Sequence, residues 1–160
     1  MQRRTFLRQS AILSAGILAM PDMAFAKNQK VGLQLYTLRE SVAKDLPGVL
    51  SQVAKAGYTE LEMFGLSAEN KFFGYTVKET AELLKKNGLT SPSGHYMPDK
   101  FLFNNGNGDD VKNLCDVANQ LGSSYVIIPW LSEERRDSID KYKALAERIN
   151  KAGEICKAAK

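Results

Sequence analysis

Three polar side chains, Gln34, Glu62 and His95, lie within or at the end of short apolar runs that have the length of strands. A carboxylate and an imidazole can exchange protons, and an amide can donate and accept hydrogen bonds. His95 is the only histidine of the chain, so it needs partners from other segments before it can serve in a triad or a metal cluster. Substrate binding and structural packing are both open interpretations of these residues.

The segments that must position these residues alternate between two patterns. Short apolar runs at residues 31–36, 58–64, 89–95 and 125–128 are each followed by an amphipathic stretch of helical period. This alternation is typical of parallel βα units, and four such units make half of a (β/α)8 barrel. The sequence therefore predicts an α/β fold, with four parallel βα units forming the N-terminal half of a TIM barrel.

Capping residues mark where the helices begin. Asp45 precedes Leu46 and Pro47, Thr76 and Glu79 have the spacing of a capping box, and Ser138 precedes the last amphipathic stretch. A third helix is expected from about residue 110 to residue 121, ending at a glycine. Pro92 lies inside the third predicted strand, where proline fits only at an edge or a bulge.

Side-chain alternation indicates which groups point into the barrel. Gln34 and Tyr36 share one face of the first strand, and the apolar residues between them share the other. In the second strand Glu60 and Glu62 face the interior, with Glu62 nearer the C-terminal end. Functional groups of parallel barrels gather at that end.

Residues 1–26 read as an export leader. Arg3 and Arg4 precede Phe6 and Leu7, an apolar run follows, and small residues precede Lys27. We expect a twin-arginine type signal peptide, periplasmic localisation, and a partial barrel over residues 27–160; a general secretory leader or an uncleaved anchor is the alternative. Without residues 1–26 the net charge falls from +4 to +2. No basic cluster remains to favour nucleic acid or a membrane surface as a partner.

The chain has two cysteines, Cys115 and Cys156, and each continues the apolar face of a predicted helix. We expect two packed thiols, because free cysteine behaves as a small hydrophobe. A disulfide is the alternative, which an oxidising compartment would permit.

Two segments that follow predicted strands could lie over the substrate end. In residues 97–108, Phe101 and Phe103 could cover a ligand or touch a second subunit, and a mobile surface insertion is the alternative. Residues 72–75 are the other segment.

An open doubly wound nucleotide-binding sheet is disfavoured, because no glycine-rich phosphate motif follows the first strand. No GxSxG motif is present to support serine hydrolysis.

Several segments together resemble the xylose isomerase-like TIM barrel family of sugar phosphate isomerases/epimerases. They are Val31-Gly32-Leu33-Gln34-Leu35-Tyr36-Thr37-Leu38-Arg39, Gly57-Tyr58-Thr59-Glu60-Leu61-Glu62, Ser93-Gly94-His95, and Leu121-Gly122 ahead of Tyr125-Val126-Ile127. The resemblance covers about residues 30–160.

The resemblance implies metal-assisted proton transfer on a small sugar or polyol, through an enediol-like intermediate. It implies a divalent metal of the Mn²⁺ or Mg²⁺ class for full-length members, whose ligands come from later strands without matching positions here. We therefore assign no metal ligand and no catalytic residue. The substrate-binding candidates are Gln34, Tyr36, Glu62, His95 and Trp130, whose indole could stack on a sugar ring.

Two functions follow from this comparison. The chain is either the N-terminal part of an exported sugar isomerase or epimerase, inactive at this length, or a non-catalytic half-barrel that binds sugar or assembles. Exposed barrel edges would make a homo-oligomer under the second interpretation. No nucleic acid partner is expected, and no membrane association after removal of the leader.

Overall fold

The computed structural model describes residues 31–159, which alternate between strands and helices. The strands are Gly32–Gln34 (β1), Glu60–Met63 (β2), Lys71–Phe72 (β3), Tyr75–Thr76 (β4), Thr90–His95 (β5) and Tyr125–Ile127 (β6). The α-helices are Arg39–Val42 (α1), Leu46–Lys55 (α2), Val77–Lys86 (α3), Asp99–Phe103 (α4), Asp109–Leu121 (α5) and Ile139–Ala158 (α6). Two 3-10 turns, Leu35–Leu38 and Glu133–Arg135, complete the order. The predicted leader over residues 1–26 lies outside the described residues.

Four strands form one parallel sheet in the order β1-β2-β5-β6. Neighbouring strands of the sheet follow one another along the chain, apart from the short antiparallel hairpin of β3 and β4. Helices connect the parallel strands, as βα units require. The predicted α/β fold of four parallel βα units, half of a (β/α)8 arrangement, is confirmed.

The capping residues begin the helices as their sequence indicates. The Asp45 carboxylate accepts a hydrogen bond from the Gly48 amide at 2.9 Å. At the start of α3, Thr76 Oγ1 accepts from the Glu79 amide at 3.2 Å, and Glu79 Oε2 accepts from the Thr76 amide at 2.8 Å. Each contact satisfies backbone donors that the first helical turn leaves unpaired.

The helix-facing side of the sheet forms the main hydrophobic core. Leu61 and Met63 of β2 are fully buried against the helices. They alternate with Glu60 and Glu62, which therefore face the other side of the sheet, as predicted. A second apolar cluster lies beneath α4 and α6 and includes Phe101, Leu102, Val111, Cys115 and Leu145.

A bulge occurs where β5 passes β2. Glu60 pairs with Thr90 and Glu62 pairs with Ser93, so β5 advances three residues while β2 advances two. Pro92 lies within the extra step, at the kind of position that a strand proline tolerates. The bulge turns Ser93 toward the same face as Glu62.

The structure corrects the interpretation of residues 97–108. Residues 99–103 form α4, and Phe101 is buried in the second cluster instead of covering a ligand. The Arg148 guanidinium donates to the Phe101 carbonyl oxygen at 2.7 Å and also binds the Asn105 side chain. The Arg135 guanidinium lies 3.7 Å from the centre of the Phe103 ring. Both aromatic rings are therefore occupied by contacts within the chain.

The first predicted strand is shorter than expected. Residues 35–38 form a 3-10 turn, so only Gly32–Gln34 pairs with β2. Between residues 31 and 159, none of the helices has the length and apolar character that crossing a bilayer requires.

Gly94 and Gly153 make a matched pair of substitutions. A methyl group at Gly94 would come within 2.3 Å of the Tyr96 ring, whereas one at Gly153 would meet open space. Because Tyr96 is only 3% exposed, we expect Gly94→Ala to lower the free energy of unfolding by about 1–3 kcal/mol. Gly153→Ala should raise it by up to about 1 kcal/mol, since alanine favours a helix interior. Urea denaturation measures both, and equal effects would contradict the packing described.

Candidate functional site

Polar side chains form a row across the carboxyl ends of three neighbouring strands. Gln34 of β1 is in register with Glu62 of β2, and Glu62 is in register with Ser93 of β5. Residues in register on parallel strands point to the same face, which here is opposite the hydrophobic core. The row therefore lies on the inward face of the half-barrel, at the end where barrel sites occur.

His95 joins this row from two residues beyond Ser93. Its Nε2 lies 2.7 Å from Glu62 Oε1, with the two side chains 24% and 26% exposed. Gln34 Nε2 lies 3.0 Å from His95 Nδ1 and 3.5 Å from Nε2. Because Glu62 accepts the proton of Nε2, the amide donates to Nδ1. In this arrangement both ring nitrogens are engaged.

The second carboxylate oxygen of Glu62 is also occupied. Ser93 Oγ donates to Glu62 Oε2 at 2.7 Å. The carboxylate is thus held from both sides, by Ser93 and by His95, in one orientation. We call Gln34, Glu62, Ser93 and His95 the polar cluster. Its central carboxylate–imidazole pair can take up or release a proton while a neighbouring group is bound.

An aromatic wall of Tyr36, Phe64 and Phe73 follows the polar cluster: Tyr36 is two residues beyond Gln34, and Phe64 is two residues beyond Glu62. The rings of Tyr36 and Phe64 meet edge to face with centroids 5.2 Å apart, and Phe64 meets Phe73 at the same distance. The Arg39 guanidinium lies 5.0 Å from the Tyr36 ring centre. Tyr36 belongs to the 3-10 turn after β1 and is 51% exposed. It offers an apolar ring face and a hydroxyl to the solvent side of the site.

A cavity of about 790 Å³ opens beside His95, between the segments that follow β2 and β5 and the start of α5. Asn70 and Asn113 line it and exchange two amide hydrogen bonds, of 2.7 and 2.8 Å. Tyr96 also lines it, and its buried hydroxyl has no hydrogen-bond partner within residues 31–159. Burial raises the pKa of Tyr96 well above its ordinary value, so the phenol stays protonated.

The structure brings together three of the five residues proposed from the sequence. Gln34 and Glu62 both contact His95, whereas within residues 31–159 no hydrogen bond joins Tyr36 or Trp130 to these three. Trp130 follows β6 and is 66% exposed. Ser93 was not among the proposed site residues, although its position two residues before His95 places both on one strand face. Only the bulge shows that this face is the one shared with Glu62.

The polar cluster offers few ligands for a metal. Glu62 and His95 supply one carboxylate and one imidazole, and within residues 31–159 no group of three or more ligating side chains comes together. The residues present do not fit a three-ligand protein site for a divalent metal.

Two solved structures share this fold. One is a sugar phosphate isomerase/epimerase from Parabacteroides distasonis, with a TM-score of 0.64 and 29% identity over 84% of this chain and 51% of that one. This chain resembles sugar phosphate isomerases/epimerases. A second such protein from the same organism has a TM-score of 0.63 and 21% identity over 81% of this chain and 50% of that one, which supports the fold alone. No family model and no curated protein matches the sequence.

The chain spans about half the length of these two solved structures. Its half-barrel fold is thus that of a sugar isomerase-like protein over the matched part. What each whole protein does is a separate matter from what this chain does.

The hydrogen bonds of His95 predict one tautomer. With Glu62 accepting from Nε2 and Gln34 donating to Nδ1, the neutral ring should carry its proton on Nε2. Ring-nitrogen NMR shifts report the tautomer directly, and the single histidine makes the assignment unambiguous. Glu62→Leu removes the acceptor and should shift the population toward a mixture, whereas Glu147→Leu on the exposed side of α6 should not. A proton found mainly on Nδ1 in the unaltered chain would contradict this geometry.

Proposed function

We propose that the chain binds a small sugar or polyol at the polar cluster and that, as part of a whole protein of this type, it takes part in a sugar isomerase or epimerase type of proton transfer. The observation that carries the proposal is the 2.7 Å contact between His95 Nε2 and Glu62 Oε1, at the carboxyl ends of parallel strands. A partly buried carboxylate–imidazole pair at this place is suited to move a proton at a bound hydroxyl or an adjacent carbon. The similarity to the solved sugar phosphate isomerase/epimerase at 29% identity supports the same reaction type.

Each residue of the site has a role in this proposal. Glu62 accepts the proton that leaves the substrate, and Ser93 and His95 hold its two oxygens in place. Once Glu62 is protonated it no longer accepts from Nε2, and the Nε2–H group, which the ring retains, can donate a hydrogen bond to a substrate oxygen. Gln34 orients the imidazole through Nδ1. The proton returns to the neighbouring substrate carbon, so that no atom is gained or lost overall.

The aromatic residues supply the apolar part of binding. A sugar ring presents C–H groups on its faces and hydroxyls at its rim, which suits an aromatic wall beside a polar row. Tyr36 is exposed next to Phe64 and could contact such a face. Trp130 is a further stacking candidate from the segment after β6.

We propose a divalent metal only for whole proteins of this type. Mn²⁺ or Mg²⁺ would stabilise negative charge on substrate oxygens when bound. We assign it no ligand in this chain, and we propose that the chain by itself binds substrate without turning it over. Export to the periplasm, through residues 1–26, is a further part of the proposal.

A non-catalytic half-barrel that assembles is the second candidate. Within the described residues β1 and β6 each pair with one strand only, which leaves two open sheet edges. Tyr125 of β6 is in register with Ser93 and is 65% exposed on the inward face. An exposed aromatic residue beside an open edge favours association with a second copy.

Binding is tested by titrating the chain with a panel of monosaccharides and polyols, followed by calorimetry or NMR. We expect Glu62→Gln to weaken binding of the best ligand by about tenfold or more, because a charge-assisted hydrogen bond is lost. Glu147→Gln makes the same change of charge on the exposed side of α6 and should leave binding unchanged. Equal weakening by both variants would contradict a site at Glu62.

Turnover is tested separately from binding, by following deuterium uptake from heavy water into the carbon-bound positions of the bound sugar. For this chain we expect sugar binding without deuterium uptake. If the unaltered chain did incorporate deuterium and Glu62→Gln abolished the incorporation, the chain would be catalytic by itself. If the unaltered chain is folded and binds none of the sugars or polyols, the sugar proposal itself is overturned.

Assembly is tested by sedimentation velocity. If open edges mediate association, Tyr125→Asp should shift the population toward monomer, because a charge on the inward face of an edge strand opposes pairing. Tyr142→Asp on the exposed face of α6 is the matched control and should not. A monomer at every concentration of the unaltered chain would contradict this second function.

A further inference from the structure

The two cysteines meet at the interface of α5 and α6. Cys115 of α5 is buried, Cys156 of α6 is partly buried, and their sulfur atoms lie 3.1 Å apart as free thiols. They lie in the second apolar cluster, which includes none of the residues of the polar cluster. The proposed proton transfer makes no use of them.

Contacts on both sides hold the two sulfurs together. Leu145 and Ile155 of α6 pack in the same apolar cluster as Val111 of α5. Beyond Cys156, the side-chain amide of Asn119 donates to the Ala159 carbonyl oxygen at 2.9 Å, which ties the end of α6 to α5. The sulfurs are therefore neighbours because two helices are fixed against each other, and no large movement of either helix is needed to join them.

A cavity gives small molecules a route to this pair. It has a volume of about 230 Å³ and is lined by both cysteines, together with Ala152 and Gly153 of α6 and Tyr125 and Val126 of β6. Gly153 leaves open space where a side chain would stand, one turn before Cys156. A thiol reagent can thus reach Cys156 without unfolding of the helix.

We propose that Cys115 and Cys156 are a disulfide-forming site, oxidised by a small-molecule disulfide such as oxidised glutathione. The thiolate of Cys156 attacks one sulfur of glutathione disulfide, forming a mixed disulfide and releasing one glutathione thiolate, which takes up a proton. Cys115 then gives its proton to solvent and attacks the Cys156 sulfur, releasing the second glutathione. Two protein thiols lose two electrons, and one glutathione disulfide gains them.

The surroundings of the two thiols set the order of these steps. Burial, followed by the neighbouring Cys156 and the charge of Asp116, raises the pKa of Cys115 to about 12. Cys115 therefore deprotonates with difficulty, and the more accessible Cys156 makes the first attack. The second step is intramolecular, so the close approach of the sulfurs compensates for the small fraction of Cys115 thiolate.

The bond would connect α5 and α6 covalently and close a loop between two cysteines that are 41 positions apart in the sequence. Such a loop restricts the unfolded chain and stabilises the folded one. The helices that flank β6 would then be fixed to each other independently of their apolar packing.

The full chain is incubated with reduced or with oxidised glutathione, unfolded in urea without reductant, and titrated with a thiol-reactive chromophore. We expect two free thiols after reduction and none after oxidation, with a protein mass lower by two hydrogen atoms. The melting temperature should rise by about 10 °C on oxidation and return with dithiothreitol. A Cys115→Ser/Cys156→Ser variant is the control, and its melting temperature should be the same in both buffers.

Three results would overturn the proposal: two titratable thiols after oxidation, stable adducts with glutathione on the protein, or disulfide-linked dimers on a non-reducing gel. These outcomes are read from the unaltered chain, so they do not depend on whether a cysteine variant folds.

Discussion

One extra residue in β5 decides which side chains of that strand face Glu62. If β5 advanced in step with β2, Pro92 and Gly94 would stand beside the carboxylate, and neither has a hydrogen-bonding side chain. With the extra step Ser93 pairs with Glu62, and His95 follows on the same face. Proline has no amide proton to place in the ladder, so the interruption falls where pairing is already weakened. The geometry of the polar cluster depends on this local irregularity.

The polar cluster is satisfied before any ligand arrives. Glu62 accepts from Ser93 and His95, and Gln34 donates to His95, so the partly buried charge has partners. A ligand that binds here must replace some of these bonds with bonds of equal quality, which favours molecules rich in hydroxyl groups. The same network keeps the donor and acceptor atoms in fixed positions, which lowers the reorganisation that a proton transfer requires.

Local features of the fold could be predicted from the sequence, whereas features that depend on pairing could not. The caps at Asp45 and Thr76 depend on neighbours three residues away, and both form as predicted. Alternation in β2 is equally local, and it correctly placed Glu62 on the inward face. The bulge at Pro92 depends on the register with another strand, so the partnership of Ser93 with Glu62 was missed.

Contacts between segments that are distant in the sequence were the hardest part of the structure to predict. The aromatic residues of 97–108 looked suited to a ligand or a partner, because nothing nearby in the sequence shows that Arg135 and Arg148 contact them from more than thirty residues away. The faces of the cysteine-bearing helices could be read from their apolar period. The contact between these two faces at the sulfur atoms could not be predicted, because the apolar period of a helix does not identify the element that packs against it.

The order of the sheet has a consequence for how the chain acquires its structure. In the order β1-β2-β5-β6 each strand pairs with the parallel strand that precedes it in the sequence. No later strand has to insert between two strands that are already paired. Pairings of this kind keep contact separations to roughly one βα unit, which shortens the loops that must close. During synthesis the sheet can therefore form one strand at a time, starting with β1, because the ribosome synthesises the strands in the same order as they pair.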